Sequence, residues 1–171
     1  MKTQEKSKIN SYLTFKLGEE LYAANVKNVT NIVELSKITK VPRVPDYMLG
    51  IVNLRGMVLP VIDCRKKFNL PVTEATVNTC ILVLEVVINN NNVTIGGIVD
   101  GVKEVIEIDN DDIKDPPSIG FNLNKFFITG VYKKKDEEGF IMILDMDSVF
   151  STEDIVTIED TSASTKETPS A

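Results

Sequence analysis

The strongest constraint on what this chain can fold into is that it carries one pattern twice. Val26-x-x-Val29-x-x-Ile32-Val33-Glu34 returns as Val99-x-x-Val102-x-x-Val105-Ile106-Glu107. Gly50-Ile51-Val52…Gly56-Met57-Val58…Asp63 returns as Gly130-Val131-Tyr132…Gly139-Phe140-Ile141…Asp145, and Phe68 and Phe150 close the two copies. Both signals keep the same order, so the chain reads as two copies of one β-rich unit, at about 11–72 and 79–150. Two joined barrels leave a groove and two free faces, a shape suited to coupling partners more than to catalysis.

Local patterns support an all-β reading. Tyr12 to Leu17 alternates as a half-buried strand does, Gly18-Glu19-Glu20 turns, and Leu21-Tyr22-Ala23-Ala24 returns. The spacing of Val26, Val29 and Ile32 suits one helical turn that bends the chain into a further strand. Val29, Ile32 and Val33, with Val99, Val102 and Val105, are expected mostly in the core. Ile51–Leu54 and Met57–Asp63 form a hairpin around Arg55-Gly56. Pro60 places its strand at an edge or at a bulge confined to the first copy, because proline donates no ladder bond. Cys80–Ile88 is apolar on both faces, as a central strand is, and Asn89–Asn92 turns it back towards Val93–Val99. Gly96-Gly97 marks a strand bulge. Residues 1–10 read as a flexible arm, and 151–171 as an acidic, Ser/Thr-rich tail whose end lacks the apolar content to order itself.

Composition narrows the function. The 171 residues suffice for one domain or two small subdomains sharing a core. A net charge of −6 argues against non-specific nucleic-acid or anionic-membrane binding. No stretch approaches the roughly 20 apolar residues of a spanning helix, and no signal peptide is visible, so a cytoplasmic location is expected. Cys64 and Cys80 lack metal spacing and read as buried thiols. The chain has no histidine, which removes the commonest general base and a common metal ligand together. No cofactor or metal is expected. Asp63 and Asp145 occupy equivalent places and could suggest a paired-carboxylate enzyme, but Cys64-Arg65 and Met146-Asp147 follow them instead of the Thr-Gly or Ser-Gly of aspartic proteases. End-of-strand capping is the better reading of both.

The segment Pro45-Asp46-Tyr47-Met48-Leu49-Gly50-Ile51-Val52-Asn53-Leu54-Arg55-Gly56-Met57-Val58-Leu59-Pro60-Val61-Ile62-Asp63 closely resembles the hallmark of the CheW family. Gly97-Ile98-Val99-Asp100-Gly101-Val102-Lys103-Glu104-Val105 resembles its second signature, and the likeness covers about residues 11 to 150. The resemblance implies two SH3-like five-stranded β-barrel subdomains with exchanged strands and a core between them. It also implies a non-catalytic adaptor that couples the cytoplasmic tips of chemoreceptors to the regulatory domain of the histidine kinase CheA, at receptor clusters on the inner face of the membrane. Service to a different CheA-type kinase pathway is the alternative.

By the same resemblance, the protein-binding surface comprises Arg55 with Asn53, Leu54 and Gly56, together with Val29, Asn31, Ile32 and Val99. Gly50, Pro60, Asp63 and Asp145 are structural. Arg55 leads this set, because a guanidinium on a rigid turn makes paired hydrogen bonds and stacks on flat groups. CheW-like proteins commonly carry Glu where Asn31 stands, able to pair with the hairpin Arg. Here that pair cannot be ionic, although an amide can accept one neutral hydrogen bond.

Overall fold

The computed structural model describes residues 8–116 and 127–150. Among them the chain forms ten strands. The first repeat supplies β1 (Ile9–Leu17), β2 (Glu20–Asn25), β3 (Val29–Glu34), β4 (Met48–Leu54) and β5 (Met57–Asp63). The second supplies β6 (Cys80–Ile88), β7 (Asn91–Val99), β8 (Gly101–Asp109), β9 (Ile128–Tyr132) and β10 (Ile141–Leu144). A helical turn ends each repeat, α1 (Cys64–Lys67) and α2 (Met146–Val149).

The strands assemble into two five-stranded sheets, in the orders β8-β1-β2-β10-β9 and β3-β6-β7-β5-β4. Each β1–β5 strand corresponds to the strand five places later, so the two orders are one topology written twice. Each repeat keeps its opening hairpin in one sheet and sends its last three strands to the other. The switch occurs after Asn25, whose side chain caps a 3-10 turn over Val26–Asn28, and at Asp100 between β7 and β8. Two short parallel ladders seal the exchange, Leu21–Ala24 against Ile141–Leu144 and Gly96–Ile98 against Val61–Asp63.

The core divides in the same way. Val52, Leu59, Val61, Ile81, Val83 and Ile98 fill the second sheet's concave face, and Tyr12, Ala23, Ile108, Ile141 and Ile143 fill the first sheet's. The largest cluster lies between the sheets, where Leu13, Phe15 and Leu17 meet Leu82, Leu84, Val86, Ile95 and Val99. Alternation along the inner strands β1, β2, β5, β6, β7 and β10 therefore serves two interiors at once, one face per cluster.

Several expectations change. β1 opens at Ile9, because Ile9 and Asn10 pair with Asp109 and Ile108, so the ordered strand starts inside the segment assigned to the arm. Ile32 and Val105 are equivalent and both exposed, at 49% and 59%, because β3 and β8 are the outermost strands of their sheets. Pro60 lies in a strand with neighbours on both sides. It faces Ile51 of β4 one residue before the β7 ladder begins at Val61, so no partner there needs its missing N–H. The bulge is not confined to the first copy but occurs in both, at the register shifts beside Gly50 and Gly130.

Gly96 and Gly97 are not a bulge either, since they pair in regular register with Val83 and Leu82. A Cβ on Gly96 would crowd Ile81 and Leu59, and one on Gly97 would press on the Cys64 sulfur. The terminal tail and residues 1–7 lie outside the described residues.

Candidate functional site: the β4–β5 hairpin and the β3 edge

The β4–β5 hairpin is joined by two residues, Arg55 and Gly56, with φ of 51° and 85°. Positive φ at both central positions is the type I′ turn, whose twist matches that of paired strands. The β6–β7 hairpin uses the same device with Asn89 and Asn90, at 50° and 63°. Asparagine suits such a position and arginine does not, since a long side chain has no local bond to offset the left-handed backbone. Asn53 holds the turn instead: its Oδ1 accepts from the Gly56 N–H at 2.8 Å.

The hairpin end is exposed. Asn53, Arg55, Gly56, Met57 and Val58 face solvent, Val58 at 67%, while Leu54 is half-buried against the second sheet's interior. Among the described residues the Arg55 side chain has no hydrogen-bond or ion-pair partner. A cation thus stands beside two exposed apolar side chains on a short, rigid turn.

β3 carries the other predicted residues. Val29 is half-buried, and Asn31 and Ile32 are exposed. Nearby Val26 and Leu35 are also exposed, at 36% and 38%, so this edge presents a broken apolar row. β3 and β4 are opposite edges of one sheet, yet Val33 of one and Leu49 and Leu54 of the other pack on the same interior cluster. The curled sheet brings the two edges to one barrel without a ladder between them. Asn31 and Arg55 make no hydrogen bond. In the second repeat the position equivalent to Asn31 is Glu104, and there Lys134 of the longer β9–β10 hairpin does pair with it.

Val99 does not belong to this surface. It is fully buried in the cluster between the sheets, at the end of β7, and no partner can reach it.

The remaining assigned residues shape the scaffold. A Cβ on Gly50 (φ 146°) would overlap the Thr39 carbonyl oxygen, and that carbonyl accepts from the Ile51 N–H at 2.9 Å. Asp63 caps α1 by accepting from the Arg65 N–H at 2.9 Å. Asp145 caps α2 by accepting from the Asp147 N–H at 3.2 Å and from the Ser148 hydroxyl at 2.7 Å. Each carboxylate is committed to its own turn.

Sequence reasoning passed over Arg65, which is buried and bonded to Asp63, Asp100 and Thr73. The signal that could have found it was a charged residue two places after the Asp that ends an apolar strand. Among the described residues no group of His, Cys, Asp and Glu could hold a metal ion, and no helix is long and apolar enough to cross a membrane.

Comparison with known proteins places this geometry. The CheW-like domain family matches residues 11–154. A chemotaxis protein CheW of Rhizobium meliloti is 30% identical over 142 residues, covering 83% of this chain and 88% of that protein. One of Treponema pallidum is 31% identical over 145 residues, covering 84% and 83% respectively. The crystal structure of the scaffolding protein TtCheW from Thermoanaerobacter tengcongensis superposes with a TM-score of 0.71 at 33% identity, covering 85% of this chain and 94% of that one.

Proposed function

The chain belongs to the CheW family, and from that membership we propose that it couples the signalling tip of a chemoreceptor to the regulatory domain of a CheA-type histidine kinase. It is a non-catalytic chemotaxis adaptor, as its relatives' role in chemotaxis and the scaffolding fold support. Those names favour a chemotaxis kinase over a kinase of another pathway. Action at receptor clusters on the inner face of the membrane follows from the same reading.

Arg55 carries the proposal. It occupies a left-handed turn position that asparagine fills in the repeat-related hairpin β6–β7, and its guanidinium has no partner among the described residues. An unfavourable backbone position held by a free cation is best explained by a group outside the chain. The neighbouring Met57 and Val58, 44% and 67% exposed, supply apolar area for the same contact. Asn53 and Gly56 keep the turn in shape, and Val29, Asn31 and Ile32 extend the surface along β3.

The test is co-sedimentation of the purified chain with CheA and a receptor-tip fragment of the same organism, with autophosphorylation followed in the pellet. Wild type should form the ternary complex and change kinase activity, whereas Arg55→Ala should fold normally and lose most of both. An Arg55→Ala protein that binds and activates like wild type would remove Arg55 from the interface. Binding of wild type to neither partner would overturn the partner assignment.

A further inference from the structure

Arg65 stands where the two sheets meet. α1 follows β5 of the second sheet, yet the Arg65 guanidinium donates to Asp100 Oδ1 at 3.1 Å, at the crossover from β7 to β8. The other oxygen of Asp100 accepts from the Gly18 N–H at 2.6 Å, in the β1–β2 turn of the first sheet. The same guanidinium donates to both oxygens of Asp63, at 3.2 and 3.3 Å, and to the Thr73 carbonyl at 2.8 Å, which fastens the linker between the repeats. The three charged side chains are 7%, 2% and 18% exposed. One continuous chain of charge-assisted bonds therefore runs from Asp63 of the second sheet through Arg65 and Asp100 to Gly18 of the first, with a branch to the linker at Thr73.

The repeat-related end is built differently. The ladder registers place Asp147 where Arg65 stands, Lys27 where Asp100 stands, and Val87 where Gly18 stands. There Asp147 alone accepts from the Val87 N–H, at 2.8 Å and in contact with solvent, while Lys27 is exposed. The same backbone N–H is thus tied across the sheets at both ends. At one end a buried cation sits between two carboxylates; at the other a single carboxylate competes with water.

We infer that Arg65 is a positioning residue that holds the two barrels in fixed relation through Asp100, with the Asp147 end as the looser side. It sets where the Arg55 hairpin stands relative to the first sheet. Removing the cation leaves Asp63 and Asp100 facing each other without compensation, so the contact between sheets opens there while each barrel keeps its own interior. This holds whatever partner the protein binds, so its failure and that of the adaptor reading are separate results.

The test measures the distance between spin labels on unnatural amino acids at positions 58 and 105, one exposed strand position in each sheet. Methyl NMR of the barrel interiors (Val52 and Val61, Ile108 and Ile143) reports their integrity. Wild type should give one narrow distance distribution. Arg65→Met should broaden it and add a second population with interior methyl shifts retained, Asp100→Asn should do the same to a lesser degree, and Asp147→Ala should change it least. If Arg65→Met does not fold, Asp100→Asn decides. Wild-type distributions in the folded variants, greater broadening by Asp147→Ala, or loss of interior shifts along with the distance would each overturn the proposal.

Discussion

Cys64 shows how much of a residue's chemistry comes from its surroundings. It begins α1, is 3% exposed, and packs its sulfur over Gly97. Burial first, then the neighbouring Asp63 carboxylate, pushes its thiol from 9.0 up to about 12. The unfolded chain would release this proton from about pH 9, and the native chain would keep it until about pH 12. The stability that the neutral thiol contributes is therefore complete below pH 9 and is lost as pH rises towards 12. Urea denaturation between about pH 8 and 11 should show wild type losing stability more steeply than Cys64→Ala. Burial raises the Tyr12 and Tyr22 hydroxyls as well, in the same sense, so the comparison with the variant isolates the thiol. The sequence reading as a buried thiol is right for Cys64, while Cys80 is only half-buried. Nothing in one residue type distinguishes the two, because exposure depends on what packs above the strand.

At the scale of the element, the hairpins decide most. Type I′ turns demand left-handed residues, so the Arg55-Gly56 junction is legible from the sequence, whereas the asparagine turn is shorter than its four-residue run suggests, because Asn91 and Asn92 already pair in β7. That Arg55 pays for its position is visible only once φ is known. Replacing it with asparagine should stabilise the protein by about 0.5–1 kcal/mol, the size of a relieved left-handed strain. The same Arg55→Asn variant should weaken receptor–kinase coupling, giving a higher thermal midpoint and lower activity together. A variant no more stable than wild type would show that the turn does not strain Arg55. The edges were less legible. Ile32 and Val105 look like core by spacing alone, yet the periodicity of a strand specifies faces and says nothing about whether another strand lies beside it.

At the scale of the whole molecule, strand exchange makes the repeats interdependent. Neither sheet can be completed by one repeat, since each needs strands from both. The shared cluster around Phe15, Leu84 and Phe150 ties them further. A fragment ending at residue 72 should therefore show collapsed NMR dispersion and no cooperative melt, while the full chain should unfold in one transition seen equally by backbone and tyrosine signals. A fragment that folds alone would mean that each repeat can close its own barrel. By itself the sequence determined the repeat, the β character, the hairpin turns and, through the motif around Arg55, the family. All of these rest on local pattern, which the chain expresses wherever its strands dock. Only the tertiary structure decided that Ile32 and Val105 lie open and that Arg65 and Asp100 meet across the sheets. Those outcomes depend on pairings between segments far apart in the chain, whose free energy comes from area buried and charge desolvated after assembly, and no periodicity along one strand encodes its partner.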